Sequence, residues 1–291
     1  MGNRKFIGIK SNFFITNLIL KIVLYFFLSL WTFIEIYPII FMVFSGLKTK
    51  SQIILSPWSF SWPPQFKNWL VVWTGEGVQV GISRYFLNSA IVLGGALFLL
   101  IIVASLAGYA LATYKFYGKG LFYKFFILAV VIPIQIVLIP VFVLWGYLHL
   151  RNNYLGLIIL YVGFFLPFSV LIMRANFESI PIEIKEAARI DGCTEMGVFW
   201  RIALPMSKPA IGAVSSITGV GIWGELLFAF ILMNKPAMRT LNVGILAFSG
   251  QYVIEYHLIF AGLTISTIPF LILFIIFQRQ IMKGMTLGAF K

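Results

Sequence analysis

The chain has 291 residues, 60% hydrophobic and 11% charged, with 22 basic against 9 acidic side chains and a formal net charge of +13. An ordinary soluble domain is about half apolar and a quarter charged, so this balance excludes a soluble fold and points to an integral membrane protein. The positive charge is scattered, without a basic stripe or recognition motif, which argues against a nucleic-acid partner, and the lone Cys193 excludes an internal disulfide.

In chain order, Arg4, Lys5 and Lys10 precede an apolar run from Phe13 to Phe44. The run is far longer than the core of a signal peptide, about 7–15 residues, and has no small-residue cleavage site. It is expected to remain as a first span. A crossing helix takes about 20 apolar residues, and six segments qualify: 18–45, 85–113, 121–148, 154–174, 207–233 and 258–280. A polar-aromatic loop with Trp58, Pro63, Pro64, Trp69 and Glu76 separates the first two. No repeat of fixed period is visible. The expected fold is an all-α integral membrane protein, one domain over residues 1–291, with six transmembrane helices and a polar loop at about 175–206 between the fourth and fifth.

Basic residues set the orientation of such a chain. With the N-terminus inside, seven of the 22 fall outside (Lys48, Lys50, Lys67, Arg84, Arg151, Lys235 and Arg239) and fifteen inside. Both termini and the 175–206 loop are therefore expected in the cytoplasm.

The segment from Ser179 to Pro209 is the one long polar stretch, and it reads as two short helices joined by a tight turn. Ser179 is placed to cap the first, Pro181 suits its first turn, and Glu183 and Glu186 suit its positive end. Gly192 fits the left-handed position that closes a helix. Thr194 is placed to cap the second helix, Glu195 lies in its first turn, and Pro205 is expected to stop it. Ala187 and Ala188 leave a patch without bulk that another protein could approach closely. Ile182, Glu186 and Ile190 share one stripe at helical spacing. Two readings stand: an amphipathic connector on the membrane surface, or an element that docks on a partner.

Glu186-Ala187-Ala188, Asp191-Gly192 and then Ile202, Leu204 and Pro205 resemble the EAA motif of ABC importer permeases. Cys193 stands where that family usually has Ala. In that family the motif forms coupling helices that fit a cleft in a cytoplasmic ATPase subunit. The resemblance implies an ATPase-coupling role for Glu186, Ala187, Ala188, Asp191, Gly192 and Pro205. It extends to Asn88-Ser89, Ala107 through Ala112, Pro133, Pro140, Pro167, Trp223-Gly224-Glu225, Leu227-Phe228-Ala229 and the ending Gly284 to Lys291. Gly224 replaces the usual Asn. These stretches together are similar to the carbohydrate-uptake branch, specifically the shorter permease of the maltose-type heterodimer. They imply a non-enzymatic subunit of a bacterial cytoplasmic-membrane importer that moves a sugar or oligosaccharide by alternating access. Its implied partners are a second homologous permease, two ATPase subunits and an extracytoplasmic solute-binding protein, besides membrane lipid. The phosphate-cradling pattern GxxxxGK[ST] is absent from the chain, so ATP and Mg²⁺ are expected on the ATPase subunits and no cofactor on this one.

Polar residues within spans are costly in lipid and usually face a cavity or a partner. Glu225 follows Gly219, Gly221, Trp223 and Gly224, a run that loosens a helix and lets backbone line a cavity. Gln135 lies between Pro133 and Pro140, and Thr264, Ser266 and Thr267 precede Pro269. Glu225, Trp223, Gln135, Thr264 and Ser266 are the candidates for a substrate pathway. Helix–helix glue explains the same polar residues. Glu35 is set aside as a member of a structural pair near the outer interface. His149 and His257 map to outside loops without metal-ligand spacing, and the Trp residues of the first loop fit an interfacial belt. The alternative function is a secondary carrier or channel driven by an ion gradient, although such carriers often show inverted repeats.

Overall fold

The computed structural model describes residues 4–76, 80–248 and 255–287, and among the described residues every regular element is a helix. In chain order these are α1 (Arg4–Ser45), α2 (Lys50–Leu55), α3 (Lys67–Thr74), α4 (Ile82–Thr113), α5 (Lys119–Val131), α6 (Leu138–Tyr147) and α7 (Tyr154–Ser179). They continue as α8 (Ile182–Ile190), α9 (Glu195–Val198), α10 (Leu204–Met206), α11 (Lys208–Gly224), α12 (Leu227–Leu232), α13 (Leu241–Ile245) and α14 (Tyr256–Leu287). Among the described residues three helices, α1 from Asn17, α4 and α7, are long and apolar enough to cross a membrane, and a fourth crossing results if the bent pair α5–α6 counts as one. The ending at Gly284 to Lys291 lies partly outside the described residues, which stop at 287.

α4 and α7 form the centre. Along α4, Val92, Ala96, Leu100, Ala104 and Gly108 recur every fourth residue and are all buried. That spacing lays one ridge along the helix. In lipid no hydrophobic force drives two helices together, so close approach and small side chains must do it. Gly108 meets that need: a Cβ there would lie 2.9 Å from the backbone nitrogen of Arg174 and from Cβ of Met173. Gly95 likewise accommodates Ile158, whose Cδ1 would lie 2.7 Å from an added Cβ.

α1 differs. None of its most apolar window is buried, and it joins the body near its C-terminal end, where Phe41 lies edge-on to Phe260 at 5.8 Å. The loop after it is ordered by internal hydrogen bonds. Thr49 and Gln52 form a capping box on α2, and the buried Lys48 donates its ammonium to the carbonyls of Ser56 and Pro57.

Two of the expected spans are interrupted. Residues 121–148 were expected as one continuous helix; instead α5 and α6 meet at 92°, joined by a 3₁₀ turn at Ile134–Val137. Proline disfavours helical backbone at the residue before it, and Ile132 accordingly adopts an extended ψ of 117°. Residues 207–233 are likewise split, into α11 and α12, at Glu225, whose ψ is 130°. The two interruptions belong to one core: Ile134, Val137 and Leu138 pack on the cluster that holds Phe228, Ala229 and Leu232. Pro167 and Pro269, by contrast, lie inside continuous helices. His257 lies in the first turn of α14 rather than in a loop.

Gly108→Val should destabilise the protein by about 1–3 kcal/mol through overpacking. Gly94→Val on the same helix, where an added Cβ meets nothing within 4 Å, should cost much less. Thermal unfolding of the two variants in detergent measures the difference.

Candidate functional site

The polar segment folds as α8, a tight elbow, α9, a π turn at Phe199–Ala203, and α10. α8 ends in a Schellman closure: Gly192 N–H donates to the Arg189 carbonyl at 3.0 Å and Cys193 N–H to the Ala188 carbonyl at 2.9 Å. The motif places its closing residue in the left-handed region, and Gly192 has φ of +83°. Thr194 Oγ1 accepts from Gly197 N–H at 3.1 Å and so caps α9.

Two local expectations need correction. Ser179 does not cap α8. It ends α7, and its hydroxyl donates to the Asn176 carbonyl at 2.7 Å, while Pro181 occupies the cap position without a side-chain bond. Pro205 does not stop the second helix either; helical backbone runs past it to Met206 and resumes at Lys208. A proline ring crowds the carbonyl of the preceding turn and offers no N–H. The wider π turn falls where that crowding would arise, and π turns absorb such irregularities.

Of the six residues singled out on the segment, Glu186, Ala187, Asp191, Gly192 and Pro205 are exposed, whereas Ala188 is buried. Ala188 therefore serves the inner face of α8, where lack of bulk lets the helix sit close to the body. The outer surface carries Ile182, Ile190, Met196 and Trp200, all exposed, with Ile190 at 86%. Met196 and Trp200, four residues apart, were not singled out from the sequence.

Lys185 was read as one more basic residue. It is 6% exposed, and its Nζ donates to the Phe177 carbonyl at 3.0 Å. That carbonyl belongs to the last turn of α7, which lacks intrahelical partners and carries negative partial charge. Burial, then the Arg189 charge, pulls the lysine pKa below its ordinary value. The available sequence signal was its i,i+3 relation to Ala188, which puts both on one face. Beneath them three rings meet: Tyr109 lies 5.3 Å from Phe177 and 5.2 Å from Phe199. Arg189 grips Glu195 with two bonds, Nε to Oε1 at 2.7 Å and Nη2 to Oε2 at 3.2 Å. The Tyr114 hydroxyl donates to Glu195 Oε2 at 3.0 Å. Burial and this bond push the Tyr114 pKa up to about 12.

The other candidates divide. Glu225 is half-buried and caps α12: Oε1 accepts from Phe228 N–H at 2.8 Å, while Oε2 accepts from Ala229 N–H at 3.2 Å and from the Tyr161 hydroxyl at 2.6 Å. Trp223 is buried, and its indole N–H donates to the Ser266 carbonyl at 3.2 Å. Ser266 Oγ lies 3.4 Å from Asn242 Oδ1, and Asn242 Nδ2 donates to the Trp223 carbonyl at 2.8 Å. Trp223 and Ser266 are thus brought together around Asn242, a residue not singled out from the sequence. The Thr264 hydroxyl bonds back to the Phe260 carbonyl of its own helix at 2.8 Å. Gln135 is exposed on the 3₁₀ turn between α5 and α6, and Glu35 is exposed on α1.

A second polar cluster explains Asn88-Ser89. Asn88 donates to the carbonyls of Ala237 (3.0 Å) and Arg239 (2.8 Å) and accepts from the Tyr154 hydroxyl at 2.7 Å. Ser89 Oγ accepts from Leu241 N–H at 2.8 Å. The pair fastens the loop between α12 and α13 onto α4.

Comparison with known proteins follows the same lines. A family model described as "Binding-protein-dependent transport system inner membrane component" matches residues 100–287. The chain is 36% identical to a putative ABC transporter permease protein of Caldicellulosiruptor sp. (strain Rt8B.4), over 91% of its own length and 95% of the relative's. It is 32% identical to the diacetylchitobiose uptake system permease protein of Streptomyces coelicolor, over 91% and 87%. A crystal structure of a bacterial ABC transporter involved in the import of the acidic polysaccharide alginate contains a chain of the same fold. That chain matches with a TM-score of 0.77 and 20% identity, covering 91% of this chain and 97% of the other.

The Arg189 bond, and then the Tyr114 bond, hold the Glu195 carboxyl below its ordinary value of 4.5. A depressed carboxyl stabilises the folded form above its unfolded pKa and loses that contribution as pH falls through its folded pKa. The link between α8 and α9 should therefore hold unchanged from about pH 8 to pH 5 and loosen below the ordinary carboxylate range. Spin-label distances across the elbow, measured against pH, check this.

Proposed function

This chain belongs to the family of binding-protein-dependent transport system inner membrane components, and from that membership we infer that it is the permease subunit of an ATP-driven importer carrying a sugar or oligosaccharide. It is the non-catalytic membrane part of a transport complex. Relatives named for diacetylchitobiose and arabinooligosaccharide uptake support the carbohydrate class.

The finer architecture is proposed as a single domain over residues 1–291 with six crossings: α1, α4, the bent pair α5–α6, α7, the broken pair α11–α12, and α14. The excess of basic residues on one side supports a cytoplasmic N- and C-terminus. In that orientation α8 to α10 lie on the cytoplasmic face. The importer is proposed to contain a second homologous permease, two ATPase subunits that bind the ATP and Mg²⁺, and an extracytoplasmic solute-binding protein.

One observation carries the coupling role: α8 stands at the surface with Glu186, Ala187 and Asp191 exposed, while Lys185 and Ala188 hold its other face to the body. Glu186, Ala187 and Asp191, flanked by Ile182 and Ile190, form the proposed contact with the ATPase. Ala188 and Gly192 give α8 its seat and its end, and Pro205 marks the second helix. ATP-driven closure of the ATPases would displace α8 and switch the cavity between inward- and outward-facing states, since coupling requires both events to share one equilibrium.

The proposed substrate pathway passes the α11–α12 break. There Glu225 lies on an interrupted span, with Trp223, Ser266 and Thr264 on the adjoining helices and Gln135 on the neighbouring break. Trp223 would shape this wall, since its indole N–H is already engaged by Ser266.

Gly192→Pro or Glu186→Lys should cut sugar uptake severely while leaving membrane insertion intact. Normal uptake by both variants would refute the coupling role. Purification of the intact chain from its membrane should bring an ATPase with it, and a sugar panel on the co-purified binding protein identifies the cargo.

A further inference from the structure

α9 and the π turn are fixed by packing. Val198 and Ala203 are fully buried, and Phe199 sits in the ring cluster with Tyr109 and Phe177. α8 is held differently. It runs into α9 through the elbow Asp191–Thr194, where a Cβ on Gly192 would meet nothing within 4 Å, so no neighbour packs against that position. A cleft of about 400 Å³ lies between the start of α8 and the end of α4, with Ala112, Thr113, Ile180 and Glu183 on its walls.

One polar tie crosses this joint, and two more fasten its two sides to the body. The Arg189 fork takes both oxygens of Glu195, Tyr114 at the end of α4 donates to the same carboxylate, and Lys185 reaches back to the end of α7. A bidentate guanidinium–carboxylate contact fixes relative orientation as well as distance, which a single bond does not.

We propose that Arg189 and Glu195, together with Tyr114 and Lys185, are positioning residues that hold α8 at a fixed angle to α9. Displacement of α8 then reaches α4 and α7 instead of being absorbed in the elbow. The proposal rests on the docking role of α8 given above. It assigns these four residues a part that neither touches cargo nor forms the docking surface. An exposed ion pair adds little to folding stability, so variants at Arg189 and Glu195 are expected to fold.

The test uses the whole transporter, purified with its co-purifying subunits, in a Cys193→Ser background. Spin labels are placed through Glu183→Cys on α8 and Tyr117→Cys beyond the end of α4, both exposed positions. The parent should give one narrow distance peak, and ATP with vanadate should change the mobility of the label at 117. Glu195→Ala should lose the narrow peak and the ATP response at 117 while the complex still hydrolyses ATP. The exchanged pair Arg189→Glu with Glu195→Arg should recover both in part. A narrow peak and an intact ATP response in Glu195→Ala would overturn the proposal, as would an exchanged pair no better than either single variant. Failure of an ATPase to co-purify with the parent would instead refute the docking role, and the peak widths alone would then judge the elbow.

Discussion

The structure depends first on the close approach of α4 to α7. Lipid gives no solvent-driven reason for helices to associate, so the pair must fit by shape. Gly95, Ala96, Ala104 and Gly108 provide that fit on one side of α4. Other elements are then fastened to this pair. α5 is joined through the Arg174 guanidinium 3.7 Å from the Tyr123 ring centre. α11 lays Gly219 against Leu93 and Leu97. α13 brings Gly244 onto the Tyr85 ring and Leu241 onto Ser89.

The second constraint concerns backbone polarity. Each break in a span frees amides and carbonyls that lipid cannot satisfy, and an unsatisfied buried group costs about 1–3 kcal/mol. At the α11–α12 break Glu225 takes two backbone N–H groups and the Tyr161 hydroxyl. At the loop before α13 Asn88 takes two carbonyls. A polar residue in such a chain can therefore serve the fold before it serves any cargo. The same side chain that makes the break possible also places a polar group beside it.

The α8–α10 segment combines two kinds of attachment. Aromatic packing secures α9 and the π turn beneath it, and polar ties secure α8. Packing resists separation in every direction, whereas hydrogen bonds fix an angle. A surface helix held mainly by the second kind can be displaced as a unit without dissolving its own helix.

Much of this was legible in the residues. The apolar runs placed the helix at 85–113 close to its observed ends and the start of the one at 154–174 at its observed start, because unbroken hydrophobicity at that length leaves few alternatives. Gly192 as a left-handed closure and Thr194 as a cap were readable because each is settled within a few residues of backbone. Ser179 and Pro205 were misread for the same reason in reverse: α7 ran on to claim Ser179, and a π turn accommodated Pro205, both decided by packing beneath. The sequence by itself determined that this protein is a helical membrane component, and its motif carries the proposed contact with a partner. Only the tertiary structure decided that Ala188 and Lys185 face inward, that Arg189 and Glu195 clasp across the elbow, and that Glu225 caps a broken span. Those outcomes rest on contacts between helices distant in sequence, or on an elbow angle, and local pattern encodes neither.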